Sequence, residues 1–329
     1  MSNNNLSTAA SLDALIPKLD ALCRGGVQRQ ASLAPFTSFR IGGPADFLAV
    51  FNQLDQLIAA LELLHTSDTP FLLLGGGSNV LVSDKGVPGL TLINQCKAID
   101  WPSPQAEPGG VLVTVDAGAP LAGFARESIN RGLAGLSWAV SIPGSVGGAI
   151  IGNAGAHHGD IASVLVAVQV WHQGRVQQWP AAEMAFSYRG SRLKGLGAMP
   201  GQHPVILSAT FHLQLDMEGT ETERARTYIQ HRRRTQPIEK SAGSIFKNPP
   251  GDYAGRLIEQ AGLKGSCIGD ACISEKHANF IINRGQATAA DVVALMNLAR
   301  SRVWQQFGIL LEPEILFIGD CPQLIDPRT

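Results

Sequence analysis

Two glycine-rich stretches dominate the chain: Leu74-Gly75-Gly76-Gly77-Ser78-Asn79 and Ile142-Pro143-Gly144-Ser145-Val146-Gly147-Gly148-Ala149, the second continuing to Gly152-Asn153-Ala154-Gly155-Ala156. The first follows an apolar segment at 71–74, which predicts a strand ending in a turn where main-chain N–H groups converge. Ser78 and Asn79 add side-chain donors. Such loops suit a phosphate group. Glycine is also the ordinary residue of tight turns between buried strands, so that plainer interpretation stays open here.

Composition limits the possible functions. A chain of 329 residues exceeds the usual size of one core, so two or three domains are expected. A formal net charge of −1 argues against nucleic acid as the main partner. The polar segment 1–10 lacks the features of a signal peptide. No apolar run approaches the roughly 20 residues that span a bilayer, so we expect a cytoplasmic protein that does not bind membranes.

The five cysteines are scattered and form no C-x-x-C pair, which predicts reduced thiols and no metal site. The basic end of the segment at 218–234 is typical of a solvated helix end rather than of a nucleic-acid patch. Hydrophobic periodicity predicts helices at 11–23, 54–65, 121–131, 218–234, 253–261 and 289–307. It predicts strands within 36–51 around a break at 41–44, and at 71–74, 90–94, 110–117, 164–172, 175–179, 205–215, 280–283 and 310–318.

Three familiar motifs are absent from the sequence. It has no G-x-x-x-x-G-K-[ST], which excludes an ordinary P-loop, and no G-x-G-x-x-G opening a helix after a strand, which excludes an ordinary dinucleotide fingerprint. A G-x-S-x-G elbow is missing as well. Two separated glycine loops suit a long ligand with a pyrophosphate in its middle, and flavin adenine dinucleotide (FAD) has that shape.

Seven motifs follow one another along the chain: Phe39-Arg40-Ile41-Gly42-Gly43, residues 74–79, residues 142–156, Phe186-Ser187-Tyr188-Arg189, residues 241–249, residues 274–280 and Leu311-Glu312-Pro313-Glu314. Together they resemble the UDP-N-acetylenolpyruvoylglucosamine reductase (MurB) family over roughly residues 30–320. Residues 274–280 and the short segment after Arg189 are similar to the second type of that family, which lacks the tyrosine-bearing loop of the first. Ser141, His157-His158 and Leu316 depart from the family pattern.

The resemblance implies an α+β protein. A two-subdomain FAD-binding fold of the vanillyl-alcohol-oxidase (PCMH) type precedes a C-terminal α+β substrate-binding domain. The implied division is an N-terminal lead and short helix at 1–30, FAD-binding subdomains at 31–93 and 94–217, a UDP-sugar domain at 218–320 and a tail at 321–329.

The implied reaction is NADPH-dependent reduction of UDP-N-acetylglucosamine enolpyruvate to UDP-N-acetylmuramate through non-covalent FAD, a step of peptidoglycan synthesis that serves cell-wall growth, cell shape and division. Arg189 and Glu314 resemble the residues that stabilise charge on the substrate carboxylate, and Ser244 resembles the serine that protonates carbon. Each has a plainer interpretation: a surface ion pair for Arg189, a solvated carboxylate for Glu314 and a turn or cap residue for Ser244. An FAD-dependent oxidase of the same fold and a silent flavin-binding protein are the alternatives.

The resemblance also implies which residues hold the ligands, and we expect a monomer. The FAD candidates are Arg40, Gly75, Gly76, Gly77, Ser78, Asn79, Ser141, Gly144, Ser145, Gly147, Asn153 and Gly155. The substrate candidates are Tyr188, Lys247, Asn248, Glu275, Lys276, His277 and Asn279, since a diphosphate calls for ammonium and amide donors. For His277, packing in the core is the competing interpretation.

Overall fold

The computed structural model describes residues 4–102, 110–194 and 203–328. Within these ranges helices alternate with strands. The helices are α1 (Asn4–Leu22), α2 (Leu54–Thr66), α3 (Leu121–Asn130), α4 (Val146–Ile151), α5 (Glu221–Thr235), α6 (Ala254–Gln260) and α7 (Ala289–Phe307). Short 3-10 turns occupy Ala34–Phe36, Ser137–Ala139, Ile161–Ser163 and Ala181–Met184.

The strands vary widely in length, and several are two-residue pairings. They are β1 (Gln28–Ser32), β2 (Pro44–Phe51), β3 (Phe71–Leu74), β4 (Val80–Val82), β5 (Val87–Asn94), β6 (Ile99–Asp100), β7 (Val111–Asp116), β8 (Leu133–Ala134), β9 (Gly155–Ala156), β10 (Gly159–Asp160), β11 (Leu165–His172), β12 (Arg175–Pro180), β13 (Val205–Leu215), β14 (Lys240–Ser244), β15 (Cys267–Ile268), β16 (Ala271–Ile273), β17 (Phe280–Asn283) and β18 (Leu316–Ile318).

The chain divides into two compact units. The first unit contains residues 1–29, 47–76 and 89–230, and the second contains residues 30–46, 77–88 and 231–329. Short N-terminal segments are therefore grouped with the C-terminal part of the chain. The domains predicted from sequence, with boundaries near residues 93 and 217, are each one continuous range of the chain, and these boundaries remain a prediction.

The first unit is built on an antiparallel sheet with the order β12-β11-β13-β7-β6. The long strand β13 pairs with β11 on one side and β7 on the other. Its alternating apolar residues face a core that α3 and α4 complete, with Phe124 and Phe211 fully buried. A second cluster joins α1 and α2 to the parallel pair of β3 and β5. Leu57 and Leu61 of α2 are buried there, at the spacing of one helix face.

The second unit contains an antiparallel sheet with the order β14-β17-β16-β15. Helix α7 packs on β15, β16 and α6 around a core that includes Ile281 and Met296. This helix has defined ends, because Thr288 and Asp291 form a capping box and Gly308 adopts a left-handed conformation after the last turn. Strands β4 and β18 form a separate parallel pair.

Most of the predicted elements are confirmed, and β13, β17 and α7 have the bounds that the sequence predicts. Four predictions need correction. Helix α1 begins at Asn4, whereas the sequence predicts a start at residue 11. Only Pro44–Phe51 of the segment 36–51 is a strand, because residues 37–40 form a turn in which the Arg40 N–H donates to the Thr37 carbonyl at 3.3 Å. Only Leu316–Ile318 of the segment 310–318 is a strand, since Pro313 forms an isolated bridge. Helix α5 begins at Glu221, where the Asp216 carboxylate accepts the first backbone N–H groups.

The expectation that all thiols are reduced is wrong. Cys267 and Cys272 form a disulfide, whereas Cys23, Cys96 and Cys321 are free. The physical reason is register: β15 and β16 place these two cysteines directly opposite each other. Among the described residues, no helix has the length and apolar character needed to span a membrane.

Candidate active site

The two glycine-rich stretches lie against each other in the first unit. The Gly76 N–H donates to Ser145 Oγ at 3.3 Å, and the Gly148 N–H donates to the same oxygen at 3.4 Å. A Cβ on Gly76 would lie 2.8 Å from Gly144 Cα, and one on Gly75 would overlap Ser145 Oγ. The stretches thus form one surface of bare backbone at the start of α4, which only glycine permits.

Two other FAD candidates of this unit have internal partners. The Gly147 N–H donates to the Ala117 carbonyl at 2.8 Å, and a Cβ there would lie 3.0 Å from Ala117 Cβ. Asn153 is buried with a positive φ of 41°. Its amide donates to the Ser187 carbonyl at 3.2 Å and accepts the Ala162 N–H at 3.1 Å. Both residues therefore fix the shape of the loop.

The remainder of the first glycine stretch belongs to the second unit. Gly77 has a φ of 56°, and a Cβ there would overlap the Phe36 carbonyl oxygen. This close approach lets the Gly77 carbonyl accept the Ser38 N–H at 3.0 Å. Asn79 donates from its amide to the Glu314 carbonyl at 3.2 Å. The end of the predicted FAD loop is therefore bonded to the segment that carries the candidate catalytic carboxylate. Arg40 is exposed in this unit.

Ser244 and Glu314 come from neighbouring segments of the second unit. Ser244 ends β14 opposite Phe280, after an irregularity in register at which Gly243 has a φ of 76°. Such bulges re-aim the side chains that follow them. The Glu314 N–H donates to the Ile245 carbonyl at 2.8 Å. The backbone segment that carries the candidate carboxylate thus runs next to Ile245, the residue that follows the candidate proton donor.

Glu312, two residues before Glu314, has a lysine as its partner. Lys247 accompanies Glu312, since its N–H donates to the Glu312 carbonyl at 2.9 Å and its Nζ lies 3.2 Å from Glu312 Oε2. Both side chains of this ion pair are exposed, so the pair contributes little stability.

Arg189 lies in the first unit, in a turn closed by pairing of Ser187 with Gly190. It has a φ of 54°, and its Nη1 donates to the Gly155 carbonyl at 2.9 Å. Its Cζ lies 5.7 Å from the centroid of the Tyr188 ring, and Tyr188 is 68% exposed. The structure thus holds the guanidinium against a glycine carbonyl beside an accessible aromatic ring.

Three substrate candidates have structural partners. The Asn279 amide exchanges two hydrogen bonds with the backbone of Phe246, at 3.0 and 2.8 Å, and is buried. Asn248 Oδ1 accepts the Ala254 N–H at the start of α6. His277 Nδ1 accepts the Asn279 N–H at 3.2 Å, and burial lowers the pKa of its imidazole below 6.5. Because these three side chains are bonded to nearby backbone groups, we expect them to hold the shape of the pocket rather than to act as hydrogen-bond donors to a ligand.

Lys276 lines a cavity of about 570 Å³ in the second unit and donates to the Arg233 carbonyl. Three cationic and two acidic side chains surround this cavity, together with one serine and two isoleucines. The lining residues are Arg233, Ile238, Glu239, Ser274, Glu275, Lys276, Ile282 and Arg284. Across the described part of the chain, no three His, Cys, Asp or Glu side chains are grouped so that they could hold a metal ion.

Comparisons with known proteins agree with these features. Residues 45–176 match the model of an FAD binding domain, and residues 236–318 match that of the C-terminal domain of UDP-N-acetylenolpyruvoylglucosamine reductase. The chain is 44% identical to UDP-N-acetylenolpyruvoylglucosamine reductase 2 of Symbiobacterium thermophilum over 300 residues, which cover 91% of this chain and 94% of that protein. It belongs to the UDP-N-acetylenolpyruvoylglucosamine reductase family.

Further members of this family are similar over nearly their full length. The reductase of Halalkalibacterium halodurans is 40% identical over 94% of this chain and 100% of its own. The crystal structure of MurB from Thermus caldophilus matches with a TM-score of 0.75 and 34% identity, and it covers 89% of this chain and 99% of that one. The family resemblance, the oxidoreductase class and the FAD-binding α+β fold predicted from sequence are therefore confirmed.

FAD is the cofactor of the family, and the bare backbone at Gly75, Gly76, Gly144 and Ser145 fits a group with a pyrophosphate. The roles of individual residues remain predictions. Sequence reasoning missed the use of the Gly155 carbonyl as an acceptor for Arg189, since no local pattern connects residues 34 positions apart.

Proposed function

We propose that this chain reduces the enolpyruvyl ether of a UDP-sugar to a lactyl ether, giving UDP-N-acetylmuramate for peptidoglycan synthesis, with NADPH as the hydride donor. Family membership supports the reaction. The observation that carries the assignment of residues is the hydrogen bond from the Glu314 N–H to the carbonyl of Ile245, the residue after Ser244, with Asn79 bonded to the Glu314 carbonyl.

FAD, when bound, would supply the hydride chemistry that links NADPH to the substrate double bond. Residues Gly75, Gly76, Gly144 and Ser145 would hold its pyrophosphate, because glycine lets the two stretches pack backbone against backbone there. We assign supporting roles in this site to the other FAD candidates named from the sequence.

Arg189 binds the substrate carboxylate in this proposal. Hydride addition drives negative charge onto that carboxylate, and a guanidinium that stays charged can fork onto it with two hydrogen bonds. The bond from Nη1 to the Gly155 carbonyl fixes one edge of the guanidinium, so that Arg189 does not have to be ordered during the reaction.

Ser244 donates the proton that balances the hydride. Its hydroxyl proton goes to the carbon that carries negative charge, so that H⁻ and H⁺ add across the double bond. A serine hydroxyl is a weak acid and needs a fixed position, which the bulge at Gly243 supports. Glu314, in its acid form, assists from the neighbouring segment by donating a hydrogen bond to the enolate-like negative charge on the substrate.

The UDP part of the substrate binds the second unit. Lys276 and the other cations of the 570 Å³ cavity suit a diphosphate, and exposed Lys247 adds a further ammonium group. Asn248, His277 and Asn279 shape this region through their internal bonds, and exposed Tyr188 offers a ring for contact with the substrate. Use of a UDP-sugar and NADPH favours the cytoplasm, and we propose that the protein acts there as a monomer.

The test compares Ser244→Ala with Ser241→Ala, a control on the same strand. Anaerobic addition of NADPH should bleach the flavin absorbance equally fast in both variants. The enolpyruvyl UDP-sugar should then restore the absorbance about 100-fold more slowly in Ser244→Ala, the scale of a lost general acid. Equal slowing of both half-reactions would remove Ser244 as the proton donor. Bleaching without recovery in the native protein would instead support the oxidase alternative.

A further inference from the structure

The hairpin that holds Arg189 has an unusual tip. Gly155 and Ala156 pair with Asp160 and Gly159, so that only two residues form the turn. Both of them, His157 and His158, have positive φ angles, of 51° and 66°. A turn of this kind normally contains asparagine and glycine, because other side chains disfavour the left-handed region. Local preference therefore opposes this hairpin, and tertiary contacts must hold it.

One such contact is an aromatic stack. The ring of His157 lies parallel to the ring of Tyr228, with centroids 4.0 Å apart and an interplanar angle of 5°. Tyr228 belongs to α5 and packs against the core of the first unit. The stack thus ties the tip of the hairpin to a helix anchored in that core.

The other side of the hairpin is also closely fitted. A Cβ on Gly159 would overlap the indole of Trp138, so this strand packs directly on a buried ring. Asp160 caps the turn Ile161–Ser163 by accepting the Ser163 N–H at 3.0 Å. With β10 fixed in this way, its pairing with β9 and the stack on Tyr228 together set the position of the Gly155 carbonyl.

We propose that His157 is a positioning residue for Arg189. Its stack on Tyr228 sets the place of the Gly155 carbonyl, and that carbonyl holds Nη1 of Arg189 at 2.9 Å. The inference rests on the proposed function, in which Arg189 binds the substrate carboxylate. It gives a role to His157, one of the two adjacent histidines that depart from the family pattern.

The test uses two matched pairs of variants. His157→Asn tolerates the positive φ but lacks the ring, whereas His157→Phe keeps a ring that can stack. Tyr228→Leu and Tyr228→Phe form the second pair. We expect His157→Asn and Tyr228→Leu to slow recovery of the flavin absorbance by the enolpyruvyl UDP-sugar about tenfold, the scale of a displaced catalytic group. The phenylalanine variants should retain the native rate.

Bleaching by NADPH is the internal control, because it does not need the substrate carboxylate. Its rate should stay at the native value in all four variants. If His157→Asn slowed both half-reactions equally while lowering FAD content and melting temperature, the stack would be merely structural and the inference would be overturned. Identical rates for His157→Asn and His157→Phe would overturn it as well.

Arg189→Ala separates this inference from the function it rests on. If Arg189→Ala left the sugar half-reaction unchanged, the proposed role of Arg189 would fail. If Arg189→Ala slowed it but His157→Asn did not, the positioning role alone would fail. In the Arg189→Ala background, adding His157→Asn should have no further effect, since both changes remove the same interaction. A full additional loss there would show that His157 acts by another route.

Discussion

The substitution Gly76→Ala tests whether the two glycine stretches act together on FAD. A Cβ at this position would lie 2.8 Å from both Gly144 Cα and Ser145 N, and 2.9 Å from the Gly144 carbonyl carbon. All three atoms are backbone, so no side chain can rotate away. The φ angle of Gly76 is not positive, which leaves the overlap as the only added strain.

The overlap sets the magnitude. Ordinary contacts begin near 3.4 Å, so the stretches must separate by about 0.6 Å. Overpacking of this kind costs about 1–3 kcal/mol. The protein without FAD can relax by opening the two stretches, but binding must bring them back together. If all of this strain energy opposes FAD binding, the Kd for FAD rises about 5- to 150-fold, at 1.4 kcal/mol per factor of ten.

The assay is a titration of FAD into protein stripped of flavin, followed by flavin fluorescence, with the melting temperature measured in parallel. Gly123→Ala is the control, because a Cβ there meets only Pro120 Cβ at 3.7 Å within α3. Alanine should stabilise that helix by about 1 kcal/mol without changing the Kd. A native Kd for Gly76→Ala would refute the idea that FAD needs the two stretches in contact.

Further predictions concern stability. Reduction with dithiothreitol should raise the thiol count of the denatured chain from three to five, and five thiols before reduction would contradict the pairing. Breaking Cys267–Cys272 should lower the free energy of unfolding by about 2 kcal/mol in chemical denaturation. The control variant Cys321→Ser should show the same loss on reduction. His277 has a lowered pKa, so its contribution to stability should be present above pH 6.5 and lost as the pH falls through the lowered pKa, with a slope of up to about 1.4 kcal/mol per pH unit. His277→Asn should flatten that part of the curve, and parallel curves would contradict the argument. Asp84→Ala removes the acceptor of two N–H groups at the start of α7 and should lower the free energy of unfolding by about 1 kcal/mol, so an unchanged urea midpoint would count against this cap.

Helix α7 and strand β13 show what local sequence can predict. Helix α7 begins at a threonine and aspartate that cap it and ends before Gly308, and these signals lie within the helix or next to it. Strand β13 alternates apolar and polar residues over much of its length. In both elements the information is contained in the segment itself, so their bounds follow from sequence.

The short strands were not predictable in the same way. Strands β14, β15 and β16 have between two and five residues and exist because they pair with partners in the sheet. The disulfide has the same origin, since the register of β15 and β16 sets its two cysteines opposite each other. Helix α4 was missed because its first residues lie inside a glycine-rich stretch that predicts a turn.

The sequence by itself determined the family, the α+β class, the use of FAD and the residue types that the chemistry needs. The reason is that motif order, periodicity and turn chemistry are properties of short segments of sequence. Only the tertiary structure decided which of those residues meet: Gly76 with Ser145, Glu314 beside the end of β14, and Arg189 on the Gly155 carbonyl behind the stack of His157 and Tyr228. The physical reason is that these contacts join residues far apart in sequence. They form only when buried strands and helices pack together, and no local preference encodes that packing.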